Sequence, residues 1–209
     1  MRYFKILSVI LAIFLILTAV FCMGCWLYLN KTDGYFARNI TEPERDLRLN
    51  IVHTAKSWLD TLEGDDSHRE IIEIYNTHEP LAQGYALKPE DNWCAAFASC
   101  VAIQCHRTDI IPTECGCERQ IRLWQHMDRW EENDNYLPLP GDYIYYAWDE
   151  AFTFGDCTGW ADHVGIVVGT AGPFIKVIEG NKDDSVTYRI IFRADPQIRG
   201  YGLPAYSVG

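Results

Sequence analysis

Apolar residues dominate the first thirty positions of the chain, and no charged residue occurs from Ile6 to Leu29. A helix rises about 1.5 Å per residue, so this segment is long enough to cross the hydrocarbon core of a membrane. Arg2 and Lys5 precede it, and the positive-inside rule therefore places the N-terminus in the cytoplasm. The predicted organisation is a cytoplasmic end (1–5), a transmembrane anchor (6–29), a stalk (30–43) and one domain outside the cell (44–209).

Two other interpretations of the apolar segment also export the domain. In the first, the segment is a cleaved signal peptide and the domain is secreted. Against it, the run is longer than a usual signal core and ends without an A-x-A cleavage site. In the second, the chain is a lipoprotein modified at Cys25, although Cys22 stands where an aliphatic residue is expected.

Between residues 41 and 131, apolar positions recur every three or four residues, which is the period of an amphipathic helix. Two of the predicted helices begin with a capping-box pattern, in which Thr41 or Ser67 precedes a Glu by three residues. Prolines and a glycine interrupt the pattern near residue 84 and predict a loop. The predicted helices are 41–62, 67–75, 92–106 and 118–131, and the predicted loop is 76–91.

After Pro138 the chain changes to short runs rich in β-branched and aromatic residues, with apolar and polar residues alternating. Helices in the first half and antiparallel strands in the second half predict an α+β domain. The predicted strands are 142–148, 163–169, 174–180, 186–192 and 198–202.

Charge and cysteine content narrow the possible partners. The net charge of −11 argues against a nucleic-acid partner, and no cofactor-binding motif occurs. An exported domain meets oxidising conditions, so a disulfide from Cys157 to Cys115 or Cys117 is one possibility. A zinc site built from the same three cysteines is another, although it lacks a clear fourth ligand. Acidic runs at 63–67 and 131–134 are expected to be solvated loops, with calcium binding as the open alternative.

One cysteine differs from the others by its place in a predicted helix. Asp91 or Asn92 is a suitable N-cap, so Cys94 falls in the first turn of the helix. Unpaired N–H groups and the helix dipole favour a thiolate there. Cys100 and Cys105 lie deeper in the same apolar helix and are typical of core residues. The alternative is that Cys94, like these two residues, is an unreactive buried thiol of the core.

A histidine and a carboxylate follow at positions that suit a cysteine nucleophile. His163 begins a predicted strand, and Glu179 and Asn181 on the next strand should project to one side because side chains alternate. If the two strands form a hairpin, Glu179 can orient His163 and stabilise its protonated form. His163 can then act as base or ion-pair partner for Cys94. The other histidines lack metal-ligand spacing and are expected to be structural or exposed.

Four short segments, taken in order, resemble the CHAP domain, the family of cysteine, histidine-dependent amidohydrolases/peptidases. They are WCAAF at 93–97, PGD at 140–142, DHVGI at 162–166 and IEGN at 178–181, and the resemblance extends over residues 44–209. It implies a papain-like fold of the NlpC/P60-like superfamily, with N-terminal helices packed on an antiparallel sheet. It also implies hydrolysis of a peptidoglycan amide bond, as in CHAP proteins of Gram-positive bacteria.

The resemblance further implies a function for individual residues. The bond would be the N-acetylmuramoyl–L-alanine bond or a bond of the stem peptide or cross-bridge. The implied functions are nucleophile for Cys94, base for His163, orienting residue for Glu179 and auxiliary polar residue for Asn181. The backbone N–H of Cys94 would form part of an oxyanion hole, with a second donor from Tyr85 or Asn92.

Two other functions stay open. A CHAP-like module without activity would bind a wall peptide or a membrane partner protein. A cysteine peptidase of the NlpC/P60 type fits less well, because NWCAAF and IEGN differ from the patterns usual there. No separate wall-binding module is visible, so the membrane anchor would supply localisation, or the protein would belong to a larger membrane machine such as a mobile-element or division apparatus. The choice of bond is expected to depend on loops 76–91 and 148–161.

Overall fold

A computed structural model describes residues 2–148, 157 and 159–206 of the chain. These residues form an apolar N-terminal helix, four further α-helices, a short 3-10 turn and a six-stranded antiparallel sheet, which confirms the predicted α+β class. The helices are α1 (Arg2–Lys31), α2 (Glu42–Lys56), α3 (Asp66–Asn76), α4 (Cys94–Gln104) and α5 (Cys117–His126), and the 3-10 turn is Ala82–Gly84. The strands are β1 (Trp130–Glu131), β2 (Tyr143–Tyr146), β3 (His163–Ala171), β4 (Phe174–Lys182), β5 (Ser185–Phe192) and β6 (Ile198–Gly202).

The strands lie in the order β1-β6-β2-β3-β4-β5, and β3 and β4 form the predicted hairpin. Helix α4 packs on both strands of this hairpin, and α3 packs on α4. The main apolar core lies between these helices and one face of the sheet. A smaller apolar cluster is made by side chains of alternate strand positions, namely Ile144, Tyr146, Val167, Ile175, Val177, Ile191 and Tyr201.

The close approach of α4 to the sheet requires a glycine in β4. Helix α4 is buried from Cys94 to Ala102, as expected for a helix that is apolar on every side. Phe97 lies over β4, where a Cβ added to Gly180 would be 2.5 Å from the Phe97 Cβ. A larger residue at position 180 would therefore push α4 away from the strand that carries Glu179.

The first two predicted helices have different ends in the structure. The prediction that α2 continues to residue 62 is wrong, since the helix ends at Lys56. The chain then turns toward β5, and Asp60 N–H donates to the Val186 carbonyl. The prediction of a capping box at 67–70 is also wrong, because Asp65 is the N-cap of α3 and its side chain accepts a hydrogen bond from the His68 N–H.

The predicted helix at 118–131 ends early as well. Helix α5 ends at His126, and Asp128 adopts a left-handed backbone conformation with φ 57°. Residues with positive φ interrupt a right-handed helix. The chain continues instead as β1, an edge strand that pairs with β6.

Helix α1 is long and apolar enough to cross a membrane. Its large apolar side chains from Ile6 to Tyr28 are exposed on all sides of the helix. An exposed helix that is apolar on every side is suited to a lipid environment and not to water.

The segment predicted as a stalk lies against the sheet. Tyr35 exchanges two backbone hydrogen bonds with Thr170 near the end of β3. The Asp33 carboxylate accepts hydrogen bonds from Lys56 at 2.6 Å and from Lys176 at 3.4 Å. The end of α1 is thereby fixed beside the turn between β3 and β4. Since a strand rises about 3.3 Å per residue, the first residue of β3 is roughly 26 Å from this turn.

The PGD segment that contributes to the CHAP resemblance contains a buried ion pair. Asp142 is fully buried, and its carboxylate accepts hydrogen bonds from Arg48 at 2.7 Å and from Tyr136 and the Leu139 N–H at 2.8 Å. Arg48 also lies 4.5 Å from the ring centre of Tyr206. The pair therefore joins α2, the start of β2 and the C-terminal segment.

Asp142→Ala should lower the free energy of unfolding by about 3–5 kcal/mol, because it removes the buried partner of the Arg48 charge and leaves only Glu44, 2.8 Å away and partly exposed. Urea unfolding of the full chain in detergent micelles, followed by tryptophan fluorescence, measures this. Asp66→Ala removes an exposed pair with Arg69 and should cost less than about 1 kcal/mol. Equal losses in the two variants would contradict a structural function for Asp142.

Candidate active site

Cys94 lies where α4 begins, beside the first residue of β3. It is the first helical residue, and the expectation that Asp91 or Asn92 caps this helix is wrong, because Trp93 is the N-cap. The Asp91 carboxylate instead accepts hydrogen bonds from the Lys88 N–H and the Tyr85 hydroxyl. Cys94 remains at the end of the helix where backbone N–H groups lack intrahelical partners and the helix dipole is positive.

His163 connects Cys94 to Glu179. Nε2 of the imidazole lies 3.1 Å from Oε2 of Glu179. The Cys94 sulfur lies 3.9 Å from the carbonyl oxygen of Asp162, the residue before His163, and His163 lowers the pKa of Cys94. Because Nε2 faces the carboxylate, Nδ1 is the ring nitrogen available to the sulfur. The three side chains are therefore arranged as thiol, imidazole and carboxylate, the order needed for an activated cysteine.

Gly165 in β3 makes room for the contact between Glu179 and His163. β3 pairs Ile166 with Ile178, and the same register places Gly165 opposite Glu179. A Cβ added to Gly165 would be 2.7 Å from Cγ of Glu179. The missing side chain lets the fully buried Glu179 reach diagonally across β3 to His163.

The contacts around Cys94 and His163 favour an ion pair. The pKa of Cys94 is well below that of an ordinary thiol, because hydrogen bonds from Cys117 and His163 outweigh the effect of burial. Burial lowers the pKa of His163, but Cys94 and Glu179 raise it to about 9. Both shifts favour the charged forms, a thiolate beside an imidazolium.

Arg189 is a member of the site that the sequence analysis missed. Its Nε donates to both carboxylate oxygens of Glu179, at 2.7 and 2.9 Å. Burial raises the pKa of Glu179, but the bonds from His163 and Arg189 lower it below the ordinary value. Strand alternation is the signal that could have found Arg189. It stands on the same side of β5 as Thr187, which pairs with Glu179.

Aromatic rings flank the imidazole and the guanidinium. Tyr146 is stacked between His163, with ring centres 5.9 Å apart, and Trp148, with ring centres 4.5 Å apart. The Arg189 guanidinium lies 4.7 Å from the ring centre of Trp148. These planar contacts restrict the rotation of His163 and of Arg189.

Cys117 is a second residue of the site that the sequence did not reveal, since it was expected to take part in a disulfide or a zinc site. Its sulfur lies 3.6 Å from that of Cys94, and it is the first residue of α5. Among the described residues, no disulfide joins Cys157 to Cys115 or Cys117. Cys115 contacts Glu114, and Cys157 lies 4.0 Å from the Gln197 carbonyl. Among the described residues, no three His, Cys, Asp or Glu side chains form a cluster able to hold a metal ion.

Asn181 departs from the predicted strand geometry. Its backbone is left-handed, with φ 56°, and the register of β4 shifts between Glu179 and Lys182, so simple alternation does not hold there. Its side-chain amide donates to Oδ1 of Asn92 at 3.4 Å. Asn181 therefore lies beside the start of α4. The Tyr85 hydroxyl, one of the two oxyanion-hole candidates, donates to Asp91 at 2.8 Å.

Of the two loops predicted to determine the choice of bond, the structure describes the first completely and the second in part. Loop 76–91 is described, and Asn76 bonds both backbone groups of Leu87 across it. In the second loop, residues 149–156 and 158 lie outside the described residues.

Alkylation of Cys94 by iodoacetamide should proceed at a pH at which an ordinary thiol, with a pKa of about 8.5, reacts slowly, because the thiolate persists below that pKa. His163→Gln should move the pH profile upward by more than about one unit, since it removes the imidazolium. Peptide mass spectrometry of the full chain after timed labelling gives the rates.

Cys100 is the internal control for this labelling, because burial raises its pKa to about 12 and it should stay unmodified. A Cys94 profile that is unchanged in His163→Gln, or that follows an ordinary thiol in the unsubstituted chain, would refute the ion pair.

Comparison of the sequence with protein-family models gives no match, and comparison with curated proteins gives none either.

Proposed function

We propose that the chain is a membrane-anchored peptidoglycan hydrolase that cleaves an amide bond with Cys94 as nucleophile. The observation that carries this proposal is the placement of His163 beside Cys94, whose pKa it lowers, with its Nε2 3.1 Å from the buried Glu179 carboxylate. The proposed fold is papain-like, with the cysteine at the start of a helix packed on an antiparallel sheet and the histidine on a strand. The bond is the N-acetylmuramoyl–L-alanine bond or one in the stem peptide or cross-bridge, as the CHAP resemblance implies.

In the first half of the reaction, the Cys94 thiolate attacks the carbonyl carbon of the amide and forms a tetrahedral intermediate. The negative oxygen is bound by the Cys94 backbone N–H, which has no partner within α4. The His163 imidazolium then gives its proton to the amide nitrogen, the C–N bond breaks and the amine leaves. A thioester to Cys94 remains.

In the second half, neutral His163 takes a proton from a water molecule, whose oxygen attacks the thioester carbonyl. The C–S bond breaks, the carboxylic acid is released, and Cys94 and His163 return to the ion pair. Glu179 holds the imidazole in one orientation and stabilises its positive charge in both halves. Arg189 keeps Glu179 ionised and fixed, so we assign it as a positioning residue.

The alternative of an inactive binding module is less well supported. A buried thiolate and a buried imidazolium cost free energy that binding alone does not require. Perturbed pKa values at paired, buried groups are typical of catalytic sites. The charges of Cys94, His163 and Glu179 therefore favour the hydrolase.

We propose further that α1 is an uncleaved anchor with residues 44–209 outside the cell. Asp33, through Lys176, and Tyr35 bind the sheet near the turn between β3 and β4, whereas His163 is at the opposite end of β3. This arrangement favours an active site directed away from the membrane, where cross-linked wall peptides would be reached.

Cys94→Ala should abolish hydrolysis, because it removes the atom that forms the thioester. The full chain in detergent micelles is incubated with purified peptidoglycan, and mass spectrometry identifies the released fragments. New N-terminal alanines would indicate an amidase, and new stem or bridge termini an endopeptidase.

Cys100→Ala is the matched control, since Cys100 lies on the same helix but is buried in the core. It should retain hydrolysis and lose stability by about 1 kcal/mol. Equal hydrolysis by Cys94→Ala and the unsubstituted chain would refute the mechanism, and no hydrolysis by either folded chain would favour the binding module.

The anchored orientation predicts that the full chain stays in the membrane fraction after alkaline carbonate extraction. In intact protoplasts, a protease added outside should digest residues 44–209 and leave a membrane-bound fragment containing α1. Release of the chain by carbonate, or protection of the domain until the cells are lysed, would exclude this orientation.

A further inference from the structure

We propose that Cys94 and Cys117 form a reversible disulfide under peroxide, and that this bond switches the hydrolase off. The effect on activity rests on the function proposed above, whereas formation of the bond requires only the two sulfur atoms.

The distance between the two sulfur atoms favours this bond. They lie 3.6 Å apart, and a disulfide of about 2.05 Å requires an approach of roughly 1.5 Å. Cys94 is the first residue of α4 and Cys117 is the first residue of α5. Because the first turn is the least constrained part of a helix, a small shift there would leave the rest of each helix in place.

The neighbouring cysteines have different surroundings. Cys115 contacts the Glu114 carboxylate and Gln83, and Cys105 donates to the Thr54 hydroxyl at 3.1 Å. Cys100 donates to Gln104 on its own helix. These three cysteines form hydrogen bonds with oxygen atoms or an amide, whereas the Cys94 sulfur has a second sulfur 3.6 Å away.

The two sulfur atoms also differ in charge, as thiol oxidation and exchange require. His163 and the S–H of Cys117 keep Cys94 as a thiolate, the form that attacks a peroxide. The adjacent Cys94 charge and burial raise the pKa of Cys117, so Cys117 stays a thiol that donates to Cys94. One sulfur can therefore react with the oxidant and the other can resolve the product.

The oxidant is a hydroperoxide, in the simplest case hydrogen peroxide. The Cys94 thiolate attacks one peroxide oxygen and the O–O bond breaks. Cys94 becomes a sulfenic acid and hydroxide leaves, taking a proton to become water. The Cys117 sulfur then attacks the sulfenic sulfur, the S–OH bond breaks, and the proton of the Cys117 thiol leaves with the hydroxide as a second water. Two electrons pass from the two cysteines to the peroxide.

The disulfide has two consequences for the site. It removes the thiolate that attacks the amide carbon in the proposed mechanism, so hydrolysis stops. It also protects Cys94 from oxidation to sulfinic and sulfonic acids, which a dithiol does not reverse. An exported domain meets oxidants more often than a cytoplasmic one, so such protection would be useful there.

The test uses the full chain in detergent micelles, reduced with dithiothreitol, freed of the reductant and exposed to hydrogen peroxide at neutral pH. Digestion under non-reducing acidic conditions and mass spectrometry should find the Cys94 and Cys117 peptides joined and lighter by two hydrogens. Release of peptidoglycan fragments should fall at least about tenfold and recover on adding dithiothreitol.

Two variants separate the switch from general oxidation. In Cys115→Ser, the matched control, the joined peptide and the recovery should be unchanged. In Cys117→Ser, Cys94 should proceed to sulfinic acid, and dithiothreitol should no longer restore the activity that this variant had before treatment. Tryptophan fluorescence checks that each variant is folded, and the joined peptide from the unsubstituted chain does not depend on any variant.

The outcomes distinguish this inference from the proposed function. If the reduced chain hydrolyses peptidoglycan but peroxide gives Cys94 sulfinic acid beside a reduced Cys117, the switch is refuted and the hydrolase stands. If the joined peptide forms but the reduced chain never hydrolyses peptidoglycan, the disulfide stands and its regulation of a hydrolase is refuted. A disulfide from Cys94 to a different cysteine would also refute the proposed pair.

Discussion

The packing of α4 on the β3–β4 hairpin is the contact on which the candidate site depends. Helix α4 is apolar on every side and can be stable only when it is surrounded, so it is drawn into the core between the sheet and α3. Phe97 fits over Gly180 and sets the distance between helix and sheet. That distance brings the N-terminal end of α4, and with it Cys94, to the end of β3 where His163 lies.

Charge is arranged in the site so that burial is tolerated. The thiolate of Cys94, the imidazolium of His163, the carboxylate of Glu179 and the guanidinium of Arg189 alternate in sign along one line of contacts. Each buried charge has an opposite charge beside it, which offsets much of the cost of removing it from water. This line of charges ends at Arg189, whose side chain is partly exposed and whose charge is therefore the least costly to bury.

The helices α2 to α5 and the strands β2 to β6 could be predicted as such from local sequence, but several boundaries could not, and β1 falls in a predicted helix. Thr41 and Ser67 have the sequence of helix caps, yet Thr41 makes no side-chain cap and Asp65 takes the place of Ser67. The same local limit applies to Asn181. Strand alternation places it beside Glu179, but a left-handed residue in a bulge turns it toward Asn92. Such positive φ values depend on how strands meet and not on periodicity.

By itself, the sequence determined the α+β class and the apolar N-terminal helix. It also distinguished Cys94, His163 and Glu179 from the other cysteines, histidines and acidic residues as candidates for one site. These follow from periodicity, from the start of an apolar helix and from strand alternation, all of which are local. Only the tertiary structure decided that Arg189 holds Glu179 and that Cys117 lies beside Cys94. Arg189 comes from a strand paired across the sheet, and Cys117 comes from the start of a different helix. Pairing and packing join positions far apart in the chain, and no local pattern records which of them will meet.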